Sequence, residues 1–304
     1  MRSSSEVRRA RAVGPIVVGG VGGSGTRVVA QLLLAIRCDL GNDLTVELDD
    51  ALFNLLFYRP SWVGAVLGGD SADVGSGLDL MHARAHGCRR LTRRQTAFVH
   101  GAWSDVVRDG HFGGRVGGRA ASGAWAIRRL WRFLRSGSQS RQQRSAWGWK
   151  EPTAHFFADH IVDHFLDARY VHVIRHGLDM AYSGNDRQVR RFGSVFGVDL
   201  DGRPPTPQDM LRYWIRANRR VVDGVCASMP ARAHVVVFEE LCARPAGEIR
   251  RLLDFLGMRV DPSAMDTLAG IPKRPRSVGR HRAIDTSMFD DADLDDVARL
   301  GFRV

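Results

Sequence analysis

The residues best suited to chemistry in this 304-residue chain are Gly19-Gly20-Val21-Gly22-Gly23-Ser24-Gly25-Thr26-Arg27. They follow a short apolar stretch, Pro15 to Val18. They precede Thr26 to Ile36, where Val28, Val29, Leu32, Leu33 and Ile36 share one side of a predicted helix. Strand, glycine-rich turn and helix in that order expose backbone N–H groups at the positive end of a helix. Such a turn forms an anion site without any side chain. The glycines permit close approach and positive φ, and Ser24 and Thr26 add hydroxyl donors. A phosphate of a nucleotide-type ligand is the expected occupant. An ATP or GTP loop would read G-x-x-x-x-G-K-[ST], whereas from Gly20 the chain reads G-V-G-G-S-G-T-R. Thr26 stands where that lysine would be, which disfavours an ordinary NTPase. A dinucleotide site is also disfavoured, because no acidic residue closes a clear second strand.

A second constellation lies at Arg169 to Ser183. Arg175 leaves the end of the predicted buried strand Tyr170 to Ile174, and Ser183 follows eight residues later on the expected helix. A planar two-donor guanidinium and a hydroxyl suit a second anion at that strand end. The plainer alternative is an arginine fixed by a structural carboxylate, with Ser183 on a helix surface.

Together these segments resemble the sulfotransferases that use 3′-phosphoadenosine-5′-phosphosulfate. In that family a (P/G)-x-(S/G)-G-T loop binds the 5′-phosphosulfate, and Gly22 to Thr26 matches it. An Arg and a Ser eight residues apart bind the 3′-phosphate, as Arg175 and Ser183 would. Lys150-Glu151-Pro152 is similar to the family's K-(T/D/E)-P element. Val235 to Leu241, then Arg244-Pro245 and Phe255-Leu256-Gly257, resemble its late strand and helix. Arg276-Ser277-Val278-Gly279-Arg280 looks like the basic C-terminal loop that folds over the nucleotide. These segments stand in family order over roughly residues 15 to 300. The resemblance implies a P-loop NTPase-like sulfotransferase fold. It also implies a donor site of Gly22, Gly23, Ser24, Gly25, Thr26, Arg27, Arg175, Ser183, Arg276, Ser277, Gly279 and Arg280, with adenosine 3′,5′-bisphosphate as product. No metal is expected. One position departs from the pattern: many members carry Lys or Arg just before S-G-T, and here that residue is Gly23. Lys150 is the first choice to supply the missing cation, and Arg27 the second. For Lys150 the plain alternative is a surface salt bridge with Glu151.

Sulfuryl transfer is an in-line displacement, so catalysis should rest on positioning and charge stabilisation, with a base for the acceptor. In the resembling family that base is a His, Glu or Asp downstream of the phosphate-loop helix. Glu47-Leu48-Asp49-Asp50 sits there. Asp49 is the first candidate, Glu47 the second and Asp50 the third, although Asp49 also stands where a helix N-cap is natural. His82 and His86 with Cys88, and His160 with His164, have helical ligand spacing but lack the Glu of H-E-x-x-H.

Alternating strands and helices predict an α/β fold: one parallel β-sheet flanked by helices. The expected layout is a flexible tail at 1–13 and a single sulfotransferase domain at 14–304. Helices are expected at Asp49 to Phe57, Leu91 to Val107, Ala124 to Leu134, Ala154 to Phe165, Gln208 to Met229 and Pro245 to Leu256. Residues 59 to 80 read as Gly-rich and irregular. Strands are expected at Trp147 to Lys150 and His234 to Phe238, and a short acidic helix near the end. Hydrophobic and charged contents of 44% and 25% are ordinary for a globular protein. No apolar run approaches the roughly 18 residues of a membrane span. The four cysteines form no C-x-x-C pair, which fits reduced thiols in a cytoplasmic protein.

The formal charge of +11, mostly arginine, favours anionic ligands but does not choose among nucleic acid, a membrane surface and a polyphosphorylated small molecule. A P-loop kinase or nucleotide hydrolase, and a basic nucleic-acid-binding module, are the rival readings. The stretch Arg128 to Arg144, with Trp131 and Phe133, suits a solvated helix face, or a basic amphipathic surface for peripheral contact with a membrane or for nucleic acid. The acceptor, whether small molecule, carbohydrate or lipid, is expected to meet residues 58 to 146; no specific nucleic acid partner is expected.

Overall fold

The computed structural model describes residues 14–70, 73–86, 90–108, 115–116, 119–120 and 146–304. The predicted tail at 1–13, the predicted helix at 124–134, the basic stretch at 128–144 and Cys88 lie outside the described residues.

β1 (Ile16–Gly19) is the central strand. Ile16 and Val18 pack into one apolar layer and Val17 into the other, all fully buried. Apolar side chains on both faces suit a parallel strand covered by helices on each side. β1 pairs in parallel with β5 (Ala146–Lys150) and with β6 (Arg169–Ile174). β2 (Cys38–Asp39) and β7 (Ala233–Val237) complete an all-parallel sheet in the order β2-β5-β1-β6-β7. A separate antiparallel pair joins β3 (Arg115–Val116) and β4 (Arg119–Ala120). The predicted α/β sheet flanked by helices is therefore the observed architecture; β2 was not predicted, being too short to leave a periodic signal.

The helices are α1 (Thr26–Ala35), α2 (Ala51–Phe57), α3 (Pro60–Leu67), α4 (Val74–His86) and α5 (Arg93–Arg108) before β5. After it come α6 (Ala158–His164), α7 (Gly177–Ala181), α8 (Arg187–Phe192) and α9 (Pro207–Arg219). α10 (Phe238–Ala243), α11 (Pro245–Leu256), α12 (Pro262–Ala269) and α13 (Asp291–Arg299) follow. α1 and α11 cover the face of Ile16 and Val18, burying Leu32, Leu33, Leu252 and Leu256. α2, α4 and α9 cover the opposite face, where Phe53, Leu78 and Trp214 pack with Val17 and Tyr170.

Two expectations fail. Residues 59–80 are not irregular: α3 and part of α4 occupy them. Pro60 begins α3, where its missing N–H costs nothing. Gly77 lies inside α4 because a Cβ there would meet Phe57 Cζ at 2.6 Å and Phe98 Cζ at 2.7 Å. This glycine serves close packing, not a turn. The long helix expected at Gln208 to Met229 is α9 followed by a π-helical stretch, Arg220–Cys226. α9 starts on Pro207 with a full capping box between Thr206 and Asp209. Among the described residues no helix is long and apolar enough to cross a membrane, and Cys38, Cys226 and Cys242 are unpaired.

Candidate active site

α1 leaves β1 toward one face of the sheet, and α7 leaves β6 toward the other, as their buried residues record. β1 and β6 are bonded neighbours, so a crevice opens between their carboxyl ends. In parallel α/β sheets this is where ligands bind. The glycine loop borders the crevice on one side and Arg175 on the other.

The loop has the backbone that the glycines predict. Gly20, Gly23 and Gly25 take φ of 150°, 99° and 102°. A Cβ on Gly20 would run into the Val173 carbonyl, and one on Gly25 into the Phe238 ring. Gly20 N–H donates to the Pro152 carbonyl at 3.0 Å, and Gly22 N–H to Gln188 Oε1 at 3.0 Å. The N–H groups of Gly23 and Gly25 find no acceptor among the described residues. Ser24 is buried and its Oγ likewise lacks a partner. A buried hydroxyl is rarely left unpaired; Ser24 Oγ and the two N–H groups belong to one cradle. Thr26 is buried at the first turn of α1, while Arg27 is exposed and lies 3.9 Å from Glu47. The departure at Gly23 has a physical cause. Its left-handed backbone disfavours a side chain, and a Cβ would press Met180 Cε at 3.2 Å.

At the other end Arg175 is buried, and its one hydrogen bond among the described residues runs to Ser277 Oγ at 2.9 Å. Asp179 and Glu239 each stand 3.9 Å away, too far to bond it directly. Arg175 is therefore not saturated by a structural carboxylate, and its Nε has no partner. Burial lowers its pKa. The predicted helix position of Ser183 is corrected: α7 has five residues and ends at Ala181, with Tyr182 as C-cap. Ser183 lies in the next turn, half-buried, where its Oγ accepts from Asn185 N–H at 3.2 Å.

The C-terminal loop covers this end. Arg280 donates to the Tyr182 carbonyl at 2.8 Å and to the Ser277 carbonyl at 3.2 Å, which brings Ser277 and Ser183 to one neighbourhood. Asp179 locks the loop down: fully buried, it accepts from Gly279 N–H at 2.7 Å and His281 N–H at 2.9 Å, and contacts the His281 ring at 2.8 Å. Burial alone would raise its carboxyl, but these donors hold it below its ordinary value. His281 stacks on His176 at 3.7 Å. Arg276 points outward, exposed and without a partner among the described residues.

The acidic cluster lies at the end of β5. Asp50, not Asp49, caps α2: its Oδ1 accepts from Phe53 N–H at 2.9 Å, and its other oxygen pairs with Arg84. The N-cap thus falls one residue later than expected, after a turn in which Leu48 takes φ 63°. Asp49 is thereby free to pair with Lys150. Lys150 is 2% exposed and also donates to the Glu47 carbonyl at 3.1 Å, so the plain alternative of a surface bridge to Glu151 is not what forms. Burial raises the Asp49 pKa against the pull of Lys150. Glu151 accepts from Thr153 Oγ1 at 3.0 Å, and burial, then the Asp49 charge, push it up to about 8. Glu47 is half-exposed beside Arg27. The His82 and His86 rings lie 4.3 Å apart, tilted to each other, and pack against Trp147, and among the described residues no metal-ligating cluster of three forms.

A family model described as the sulfotransferase family matches residues 15–262. The chain belongs to the sulfotransferase family. Among solved structures it is similar to the sulfotransferase domain from the Synechococcus PCC 7002 olefin synthase. That likeness has 17% identity, covers 99% of this chain and 100% of that one, and has a TM-score of 0.46. The sulfotransferase domain from the curacin biosynthetic pathway is 15% identical over 97% of this chain and 100% of that one, with a TM-score of 0.45. Sulfotransferase STF9 from Mycobacterium avium is 13% identical over 96% of this chain and 76% of its own, also at 0.45. No curated protein sequence matches the chain.

Within this sulfotransferase chain, sequence reasoning passed over Asp179 and Gln188, and it offered as a third base Asp50, which caps α2. Asp179 carried a signal, since it stands four residues after Arg175. Gln188 carried none, because its partner Gly22 is 166 residues away. A cavity of about 520 Å³ opens between α3 and Arg191, Ser194 and Val195, and none of the predicted site residues lines it.

Proposed function

We propose that the chain transfers a sulfuryl group from 3′-phosphoadenosine-5′-phosphosulfate to a hydroxyl or amine of an acceptor. The observation that carries this reading is the pair of unsaturated anion sites on neighbouring strand ends. One is the glycine cradle with Ser24 Oγ, and the other is Arg175 under the Ser277 loop. A nucleotide with phosphates at both 5′ and 3′ positions has the two-ended charge that such a pair would hold. In this reading Gly22, Gly23, Ser24, Gly25, Thr26 and Arg27 take the 5′ side. Arg175 and Ser183, with Arg276, Ser277, Gly279 and Arg280, take the 3′-phosphate.

Asp49 is the base. Its burial-raised carboxylate accepts the acceptor's proton as the new S–O or S–N bond forms. The S–O bond to the donor's 5′-phosphate breaks, and adenosine 3′,5′-bisphosphate leaves. Neutralising Asp49 frees the charge of Lys150 from its carboxylate partner, so that it can offset the charge gathering on the leaving phosphate. Glu47 tunes this pair, its carbonyl holding Lys150 and its carboxylate facing Arg27. The mechanism uses no metal ion. The acceptor is a small molecule, carbohydrate or lipid, and residues 14–304 act as one domain in the cytoplasm.

Thermal-shift measurements with adenosine 3′,5′-bisphosphate, ATP·Mg²⁺ and an oligonucleotide test the reading. A ligand at 100 times its Kd adds about 2.7 kcal/mol of stability, so only the bisphosphate should raise Tm clearly. A rise with ATP·Mg²⁺ and none with the bisphosphate would favour a P-loop kinase instead.

A further inference from the structure

We infer that Asn185 contacts the sulfuryl group of the donor and serves as the neutral hydrogen-bond donor at the place where this phosphate loop lacks a cation. The inference rests on the donor reading above. Gly23 cannot carry a long basic side chain without strain, given its φ of 99° and the Met180 methyl above it. What stands over that spot instead is the Asn185 amide. Its Nδ2 lies 3.3 Å from a Cβ position on Gly22 and 3.7 Å from one on Gly23. The side chain is exposed and finds no partner among the described residues, so its two N–H donors are uncommitted beside the cradle.

The amide is held in place from both sides. Asn185 N–H donates to Ser183 Oγ at 3.2 Å, tying it to the Arg175 end. Three residues later the buried Gln188 accepts from Gly22 N–H at 3.0 Å, tying the same segment to the glycine loop. Residues 183–188 thus form a strap between the two anion sites, with one uncommitted amide above the cradle. An amide donor bonds an oxyanion without adding charge. That suits a cradle whose nearest buried lysine is already paired with Asp49.

Calorimetric titration of 3′-phosphoadenosine-5′-phosphosulfate and of adenosine 3′,5′-bisphosphate separates the sulfuryl contact from the rest. In Asn185→Ala the affinity for the phosphosulfate should fall about tenfold or more, while that for the bisphosphate holds within about twofold. Asn185→Asp should weaken the phosphosulfate further, because it sets a negative charge against the sulfuryl oxygens. Tm of the ligand-free Asn185→Ala protein should match wild type, since no protein partner is lost. Equal losses for both ligands, or no loss for either, would overturn the role of Asn185 and leave the donor reading standing. If wild type binds neither ligand, the donor reading falls and takes this inference with it.

Discussion

The two ends of the crevice are built on opposite plans. At the β1 end the donors, mostly backbone groups, come from a nine-residue run whose glycines set the turn, with Pro152 and Gln188 holding it from outside. At the β6 end they are side chains, and a loop a hundred residues away holds them in place. Asp179 pins that loop through Gly279 and His281, and Ser277 reaches back to Arg175. The first plan is rigid and tolerates no side chain at its turns. The second is a latch held down by one buried carboxylate.

The sharpest way to break the first end is Gly25→Ala. A Cβ at φ 102° would strike the Phe238 ring, and strain plus overpacking should cost roughly 2–5 kcal/mol in urea unfolding. The matching change at the second end is Asp179→Asn. It leaves the volume intact but weakens charge-assisted bonds worth about 1.5–3 kcal/mol each. We expect faster hydrogen exchange at residues 277–282 with α1 unaffected. The pH dependence has a definite sign. The carboxyl is depressed in the folded state, so its contribution is present above its ordinary value of 3.8 and lost as pH falls below it. In Asp179→Asn that acid-side loss in Tm should shrink.

Glu151→Gln probes the end of β5, on the far side of β1 from β6. Glu151 is raised from 4.5 to about 8, so its protonated form favours the fold below pH 4.5, and that stabilisation is lost as pH rises through about 8. The substitution should flatten the decline of Tm between those values, without moving stability at low pH. The smallest effect belongs to Arg276→Ala. Exposed and unpartnered among the described residues, Arg276 should leave stability within about 0.5 kcal/mol and reduce only the affinity for the bisphosphate. A large loss of stability there would mean that the latch has a second pin.

How much was legible from sequence follows the same contrast. The glycine loop was readable because positive φ and close approach leave their mark in nine consecutive residues. Arg175 was readable because it stands at a strand end. Gln188 and the docking of the C-terminal loop on Asp179 were not, since the partners lie 100 or more residues apart. The cap of α2 was misplaced by one residue, after a turn in which Leu48 takes a left-handed backbone that no propensity announces. Gly77 was read as a sign of irregular chain, although its lack of a side chain is what lets α4 pack against Phe57 and Phe98.

The central claim is that one ligand spans both ends. Calorimetry with adenosine 3′,5′-bisphosphate and adenosine 5′-monophosphate, on wild type and Arg175→Ala, tests it most directly. A charged bond to the 3′-phosphate should be worth about 1.5–3 kcal/mol. Wild type should therefore prefer the bisphosphate by about tenfold or more, and Arg175→Ala should erase that preference while binding the monophosphate as before. Equal wild-type affinities for the two nucleotides, or a preference that survives the loss of Arg175, would contradict the two-ended clamp.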